Sequence, residues 1–90
     1  MRRAARIDAN HTIIVNALRQ VGASVQDLAN VGKGCPDLIV GYRGNNYLIE
    51  VKMNRGKATL AQLEWHGAWR GQVAVVRSVD EALRLIGAIQ

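Results

Sequence analysis

The chain lacks many features that would place it in common classes. Its 90 residues include one cysteine, Cys35, so no internal disulfide can form. That excludes a disulfide-stapled scaffold and fits a reducing cytosol. Pro36 is the only proline, and there is no linker, repeat or low-complexity stretch, so residues 1–90 read as one domain. No run approaches the ~18 apolar residues of a membrane span, which excludes a transmembrane helix. The start, Met1 to Asp8, carries Arg2, Arg3 and Arg6 but no apolar stretch after them, so a secretory signal is not expected. His11 and His66 stand far apart with no HExxH or Cys/His spacing, which argues against zinc. Val31-Gly32-Lys33-Gly34 lacks the GxxxxGK[ST] spacing, so no nucleotide cofactor is expected.

Acids are scarce as well. Seven Asp and Glu against twelve Lys and Arg give a net charge of +5 and a pI of 10.2. A basic small domain suits a polyanion, either nucleic acid or an anionic membrane surface, or is simply soluble and basic. Residues 1–7 form a basic arm, and Arg43, Lys52, Arg55 and Lys57 cluster around a single hairpin. Each acid inside an apolar segment therefore needs a reason. A core this small, with no staple, also favours a partner subunit, so a homo-oligomer is expected.

Periodicity gives the order of elements. Ile14, Ala17, Leu18 and Val21 are spaced for a helix over 9–21, stopped by Gly22 and capped by Asp8 or Asn10. Residues 24–28 suit a short strand. Asp37 to Tyr42 is nearly continuous and apolar, as in a strand buried on both faces. Arg43 to Asn46 reads as a turn, and Tyr47 to Lys52 as the return strand. Thr59-Leu60-Ala61-Gln62 and Ser78-Val79-Asp80-Glu81 are capping boxes opening two helices, the first running to about Arg70. Val73 to Val76 between them is a short buried strand. The order α-β-β-β-α-β-α predicts an α/β fold, a small mixed sheet flanked by helices.

The hairpin carries the chemistry. With the turn centred between Gly44 and Asn45, Tyr42 faces Tyr47, Val40 faces Ile49 and Leu38 faces Val51 on one apolar face. On the other face Ile39 meets Glu50 and Asp37 meets Lys52. A one-residue slip would mix charge into the apolar face. Asp37, Glu50 and Lys52 thus meet at one end of the sheet. Two carboxylates suit a hard divalent ion such as Mg²⁺, which can polarise a phosphodiester and activate water. A lysine beside them can stabilise charge developing on phosphorus. The same three residues also suit a plain salt bridge at a sheet end.

Pro36-Asp37, twelve intervening residues and Glu50-Val51-Lys52 resemble the PD-(D/E)XK nuclease signature. Gly34-Cys35-Pro36-Asp37-Leu38-Ile39-Val40-Gly41-Tyr42-Arg43-Gly44 with Leu48-Ile49-Glu50-Val51-Lys52 is similar, more closely, to the VRR-NUC family, in its stand-alone phage and bacterial form. The likeness runs from about residue 8 to 88. It implies a restriction-endonuclease-like core and a DNA endonuclease using Mg²⁺ or Mn²⁺. Asp37, Glu50 and the Val51 carbonyl would hold the metal, with Lys52 as catalytic lysine. Branched DNA such as a Holliday junction would be the substrate, cut by a homodimer in the cytoplasm of a bacterial or phage-infected cell. Gln62 matches a glutamine that some superfamily members use, and it is equally the last residue of a capping box. Many superfamily members also use an acid from the first helix; the matching region here offers Asp8, Asn10 and His11 and no glutamate, which leaves one metal or two open.

Lys33, Arg43, Arg55, Lys57 and Arg6 are the candidate nucleic-acid contacts. Trp65 and Trp69 share a helix face, as core, dimer contact or base-stacking platform. His66 reads as structural. Cys35 has no histidine placed beside it by sequence, so a nucleophile is disfavoured. The rival to catalysis is a non-catalytic nucleic-acid-binding module that keeps the fold. A second rival is an interaction domain in which the acids merely pair with Lys52. RNA in place of DNA stays open.

Overall fold

The computed structural model describes residues 9–90. In chain order the elements are α1 (His11–Gln20), β1 (Ser24–Asp27), a 3₁₀ turn (Ala29–Val31), β2 (Leu38–Tyr42), β3 (Asn45–Val51), α2 (Leu60–Ala68), β4 (Ala74–Val76) and α3 (Val79–Leu85). This is the expected order with the 3₁₀ turn added. The four strands form one sheet, β1-β2-β3-β4, antiparallel except for the parallel β3–β4 pair.

One sheet face holds the core. Leu38, Val40, Ile49, Val51 and Val76 meet Ile14, Val15 and Leu18 of α1, and Ala82 and Ile86 of the α3 end, all buried. Each fully buried aliphatic side chain contributes about 1.5–3 kcal/mol. The other face is thinner. Ile39 is half-buried, so β2 is fully buried on one face and not on both as its composition predicts. No residue of α2, which crosses that face, is buried.

The hairpin register differs from the expected one by two residues. Leu38 pairs with Ile49, Val40 with Tyr47 and Tyr42 with Asn45. The turn is the two-residue Arg43-Gly44, with φ of 51° and 83°. Positive φ at both positions is the type I′ geometry, whose twist matches that of the flanking strands. A two-residue shift keeps every side chain on its face, so the apolar and polar faces are as predicted while the partners change. Leu38 meets Ile49 instead of Val51, and Asp37 lies just outside the ladder instead of opposite Lys52.

Side chains complete what the strands leave open. Gln72, two residues before β4 begins, bonds both main-chain groups of Leu48, accepting from its N–H at 2.7 Å and donating to its carbonyl at 3.0 Å. Thr59 and Gln62 form the predicted reciprocal cap of α2. At α3, Ser78 accepts from the Glu81 N–H, but the Glu81 carboxylate takes the Arg77 N–H at 2.6 Å, one residue earlier than in a standard box. Asn10 sits at the start of α1 without a side-chain cap bond. Its amide reaches the carbonyls of Lys52 at 2.9 Å and Arg77 at 3.1 Å.

Candidate active site

The site lies where β2 begins and β3 ends, on the face that α2 crosses. In the observed register the residue opposite Val51 is Pro36, which is outside the ladder. The Asp37 carboxylate stands in: its Oδ2 accepts the Val51 N–H at 2.8 Å. That bond fixes the carboxylate against the strand carrying Glu50.

Glu50 is 2% exposed, an acid in the interior of an apolar strand. A carboxylate so far from water needs compensating donors or charge. Gln62 Nε2 donates to Glu50 Oε2 at 2.7 Å, and Lys52 Nζ lies 3.8 Å from the same oxygen. Gln62 thus serves the helix cap and also reaches the Glu50 carboxylate. Its Oε1 accepts the Thr59 N–H at 2.9 Å while its Nε2 reaches Glu50. The helix cap and the site share one side chain.

Gly34 sets the distance between this helix and the loop before β2. A Cβ built there would stand 2.1 Å from the Ala61 carbonyl oxygen, and its φ is +84°. Only glycine fits so near the first turn of α2. Lys33, at φ 58°, shares the tight turn closed by the Cys35 N–H on the Gly32 carbonyl at 3.1 Å, and it is exposed beside the site. Cys35 lies close enough to feel both acids. Burial pushes its thiol pKa up, and the negative fields of Glu50 and Asp37 add to the shift. A thiol held protonated is a poor nucleophile, in line with the sequence reading.

Two carboxylates fixed at one sheet end, with main-chain carbonyls nearby, form a hard oxygen donor set that fits Mg²⁺ or Mn²⁺. Among the described residues no group of three or more His, Cys, Asp or Glu side chains is gathered for a metal. His11 is not gathered with the two acids. The buried His11 has its Nε2 3.8 Å from Asp27 Oδ2, while Asn10 donates its amide nitrogen to the Lys52 and Arg77 carbonyls and keeps its Oδ1 out of any hydrogen bond. Asp8, like Arg2, Arg3 and Arg6, lies outside the described residues.

The basic residues separate. Arg55 and Lys57 are exposed on the loop between β3 and α2, next to Lys52. Arg43 caps the hairpin tip, 4.9 Å over the Tyr42 ring. It is six residues along the strand from Asp37, about 20 Å away, so the structure does not bring it to the site. Trp65 and Trp69 stack at 4.6 Å, and Trp69 is 45% exposed, which removes it from the core. His66 packs edge-on to Trp65. Sequence reasoning missed Arg77, whose guanidinium grips the loop after Lys52. Nothing local signals it, because its partners are 21 and 24 residues away.

No protein-family model and no curated protein matches the chain. A solved structure described as a VRR_NUC domain does. It shares 29% sequence identity and a TM-score of 0.67, over 88% of this chain and 91% of that one. Among the described residues no helix is long and apolar enough to cross a membrane.

Proposed function

We propose, from its likeness to a VRR_NUC domain in fold and over most of its length, that the chain is a metal-dependent endodeoxyribonuclease of the PD-(D/E)XK type. The observation that carries the reading is Glu50: a nearly fully buried carboxylate held by Gln62 and Lys52, beside an Asp37 tethered to the same strand. A core acid placed there for stability alone would be replaceable by an apolar residue at no loss.

A bound Mg²⁺ or Mn²⁺ would be held by Asp37, Glu50 and the Val51 carbonyl, and would supply Lewis-acid polarisation of the phosphodiester. The rest is the work of the chain. Gln62 keeps Glu50 aimed, and Asp37 stays in place through the Val51 N–H. The Lys52 ammonium, within reach of Glu50, stabilises negative charge growing on the phosphate oxygens at attack. Lys33, Arg55 and Lys57, exposed around the site, take neighbouring phosphates. Branched DNA cut by a homodimer is the favoured substrate, since two symmetric sites address two opposed strands. Exposed Leu60 and Leu63 on α2, and Trp69 at its end, support association.

The test is cleavage of labelled duplex, flapped and four-way-junction DNA with Mg²⁺, Mn²⁺ or EDTA, using wild type and Lys52→Ala. We expect metal-dependent cutting, strongest on the junction and lost in the variant. Tight, salt-sensitive binding with no cutting under any metal would favour the binding module instead, a reading supported by the absence of a third acid among the described residues.

A further inference from the structure

We propose that Arg77 is a positioning residue for DNA binding, holding the loop over 53–57 in the shape that presents Arg55 and Lys57 beside the carboxylates. This rests on the DNA-binding reading above. The parallel β3–β4 pairing places Arg77 there: the Lys52 N–H bonds the Val76 carbonyl at 3.0 Å, so the chain leaving β3 passes the residue that follows β4.

The guanidinium Nη1 donates to the carbonyls of Met53 at 2.6 Å and Gly56 at 2.8 Å, with Asn54 further off at 3.4 Å. Those carbonyls converge because the loop turns on itself, the Gly56 N–H bonding the Met53 carbonyl at 2.9 Å. Three convergent carbonyl dipoles form a negative focus that a cation satisfies better than a neutral donor. Residues 53, 54, 55 and 57 are exposed, so burial does little to fix the loop. Its curl is tight against the catalytic lysine: a Cβ at Gly56 would stand 3.6 Å from Lys52 Cδ.

Arg77 is itself anchored at both main-chain groups. Its N–H meets Glu81 Oε1 at 2.6 Å, and its carbonyl takes the Asn10 amide that also holds the Lys52 carbonyl. The guanidinium thus starts from a rigid base. Arg55 and Lys57, whose side chains point charge to solvent, inherit that rigidity through the loop. A loop left unheld would pay its ordering cost on binding DNA, and affinity would fall.

The experiment measures binding of a labelled four-way junction in EDTA across a salt series, for wild type, Arg77→Gln, Arg77→Lys, Arg55→Ala/Lys57→Ala and the combination with Arg77→Gln. Tryptic cleavage after Arg55 and Lys57 is followed in parallel. We expect Arg77→Gln to weaken binding about tenfold, to lower the salt slope by one to two phosphate contacts at about 0.9 each, and to speed tryptic cutting at both sites. Arg77→Lys should restore part of both and guards against a Gln variant that fails to fold. In the Arg55→Ala/Lys57→Ala background, Arg77→Gln should change binding little. Additive weakening in that background would mean Arg77 meets DNA directly, and unchanged trypsin sensitivity would mean the loop does not depend on it; either overturns the proposal. Wild type that binds no DNA at any salt sinks the DNA reading and this one together, whereas the other failures sink this one alone.

Discussion

Gln62 does two jobs with two ends of one amide, and they can be separated. Thr59→Ala removes the α2 cap but leaves Gln62 Nε2 its partner. It should cost about 1 kcal/mol, a fall in Tm of about 4–8 °C for a domain of this size, with cleavage retained. Gln62→Ala removes both bonds, so it should add the cost of an under-solvated buried carboxylate, about 1–3 kcal/mol, and depress cleavage as well. Melting curves and initial rates on both variants read the two effects. Glu50→Gln keeps shape and removes charge, so the fold should survive. Wild type should gain Tm on adding Mn²⁺ or Mg²⁺, about 2.7 kcal/mol at a hundred times Kd, and Glu50→Gln should not. An equal shift in both proteins would move the ion away from Glu50.

At the scale of elements, the two-residue turn and the Gly34 contact make opposite predictions. Arg43 adopts a positive φ that asparagine tolerates far better, ahead of a glycine already suited to the turn. Arg43→Asn should therefore raise Tm by a few degrees and leave junction cleavage unchanged, because the hairpin tip is far from the carboxylates. A large loss of binding would restore Arg43 to the DNA contacts. Gly34→Ala should do the reverse. It forces a Cβ into the Ala61 carbonyl at a strained φ, costing about 1–3 kcal/mol for the backbone alone. It also lifts α2, and with it Gln62, from Glu50. Tm and cleavage should fall together. These elements also show what could be read in the chain. Alternation of apolar and polar residues assigned the faces of β2 and β3 correctly, because any even shift preserves them. It could not choose between registers two residues apart. That choice fell to an Arg-Gly turn, which lacks the Asn-Gly or Asp-Gly signature.

For the molecule as a whole, sequence pattern predicted the order of elements and the sheet end where Asp37, Glu50 and Lys52 gather. It could not place Asn10, His11 or Arg77. Each acts across more than a dozen intervening residues, on main-chain groups or acids that periodicity does not describe. The Asn10 amide nitrogen ties together the residues that follow β3 and β4. The exposed apolar side chains of α2 predict a concentration-dependent assembly: sedimentation should show dimer, and Leu60→Glu with Leu63→Glu should shift it to monomer. A monomer at all concentrations would remove the two-site argument for branched DNA.

Gln72 has a wider consequence. β4 is only three residues long, so the strand beside it, β3, would otherwise show an unpaired N–H and carbonyl at Leu48. Such a pair, next to the exposed Val75, is a template on which another chain can lay a strand and start a fibril. The Gln72 amide occupies that docking point in every molecule, so its replacement would be felt first as insolubility on storage, well before any loss of folding.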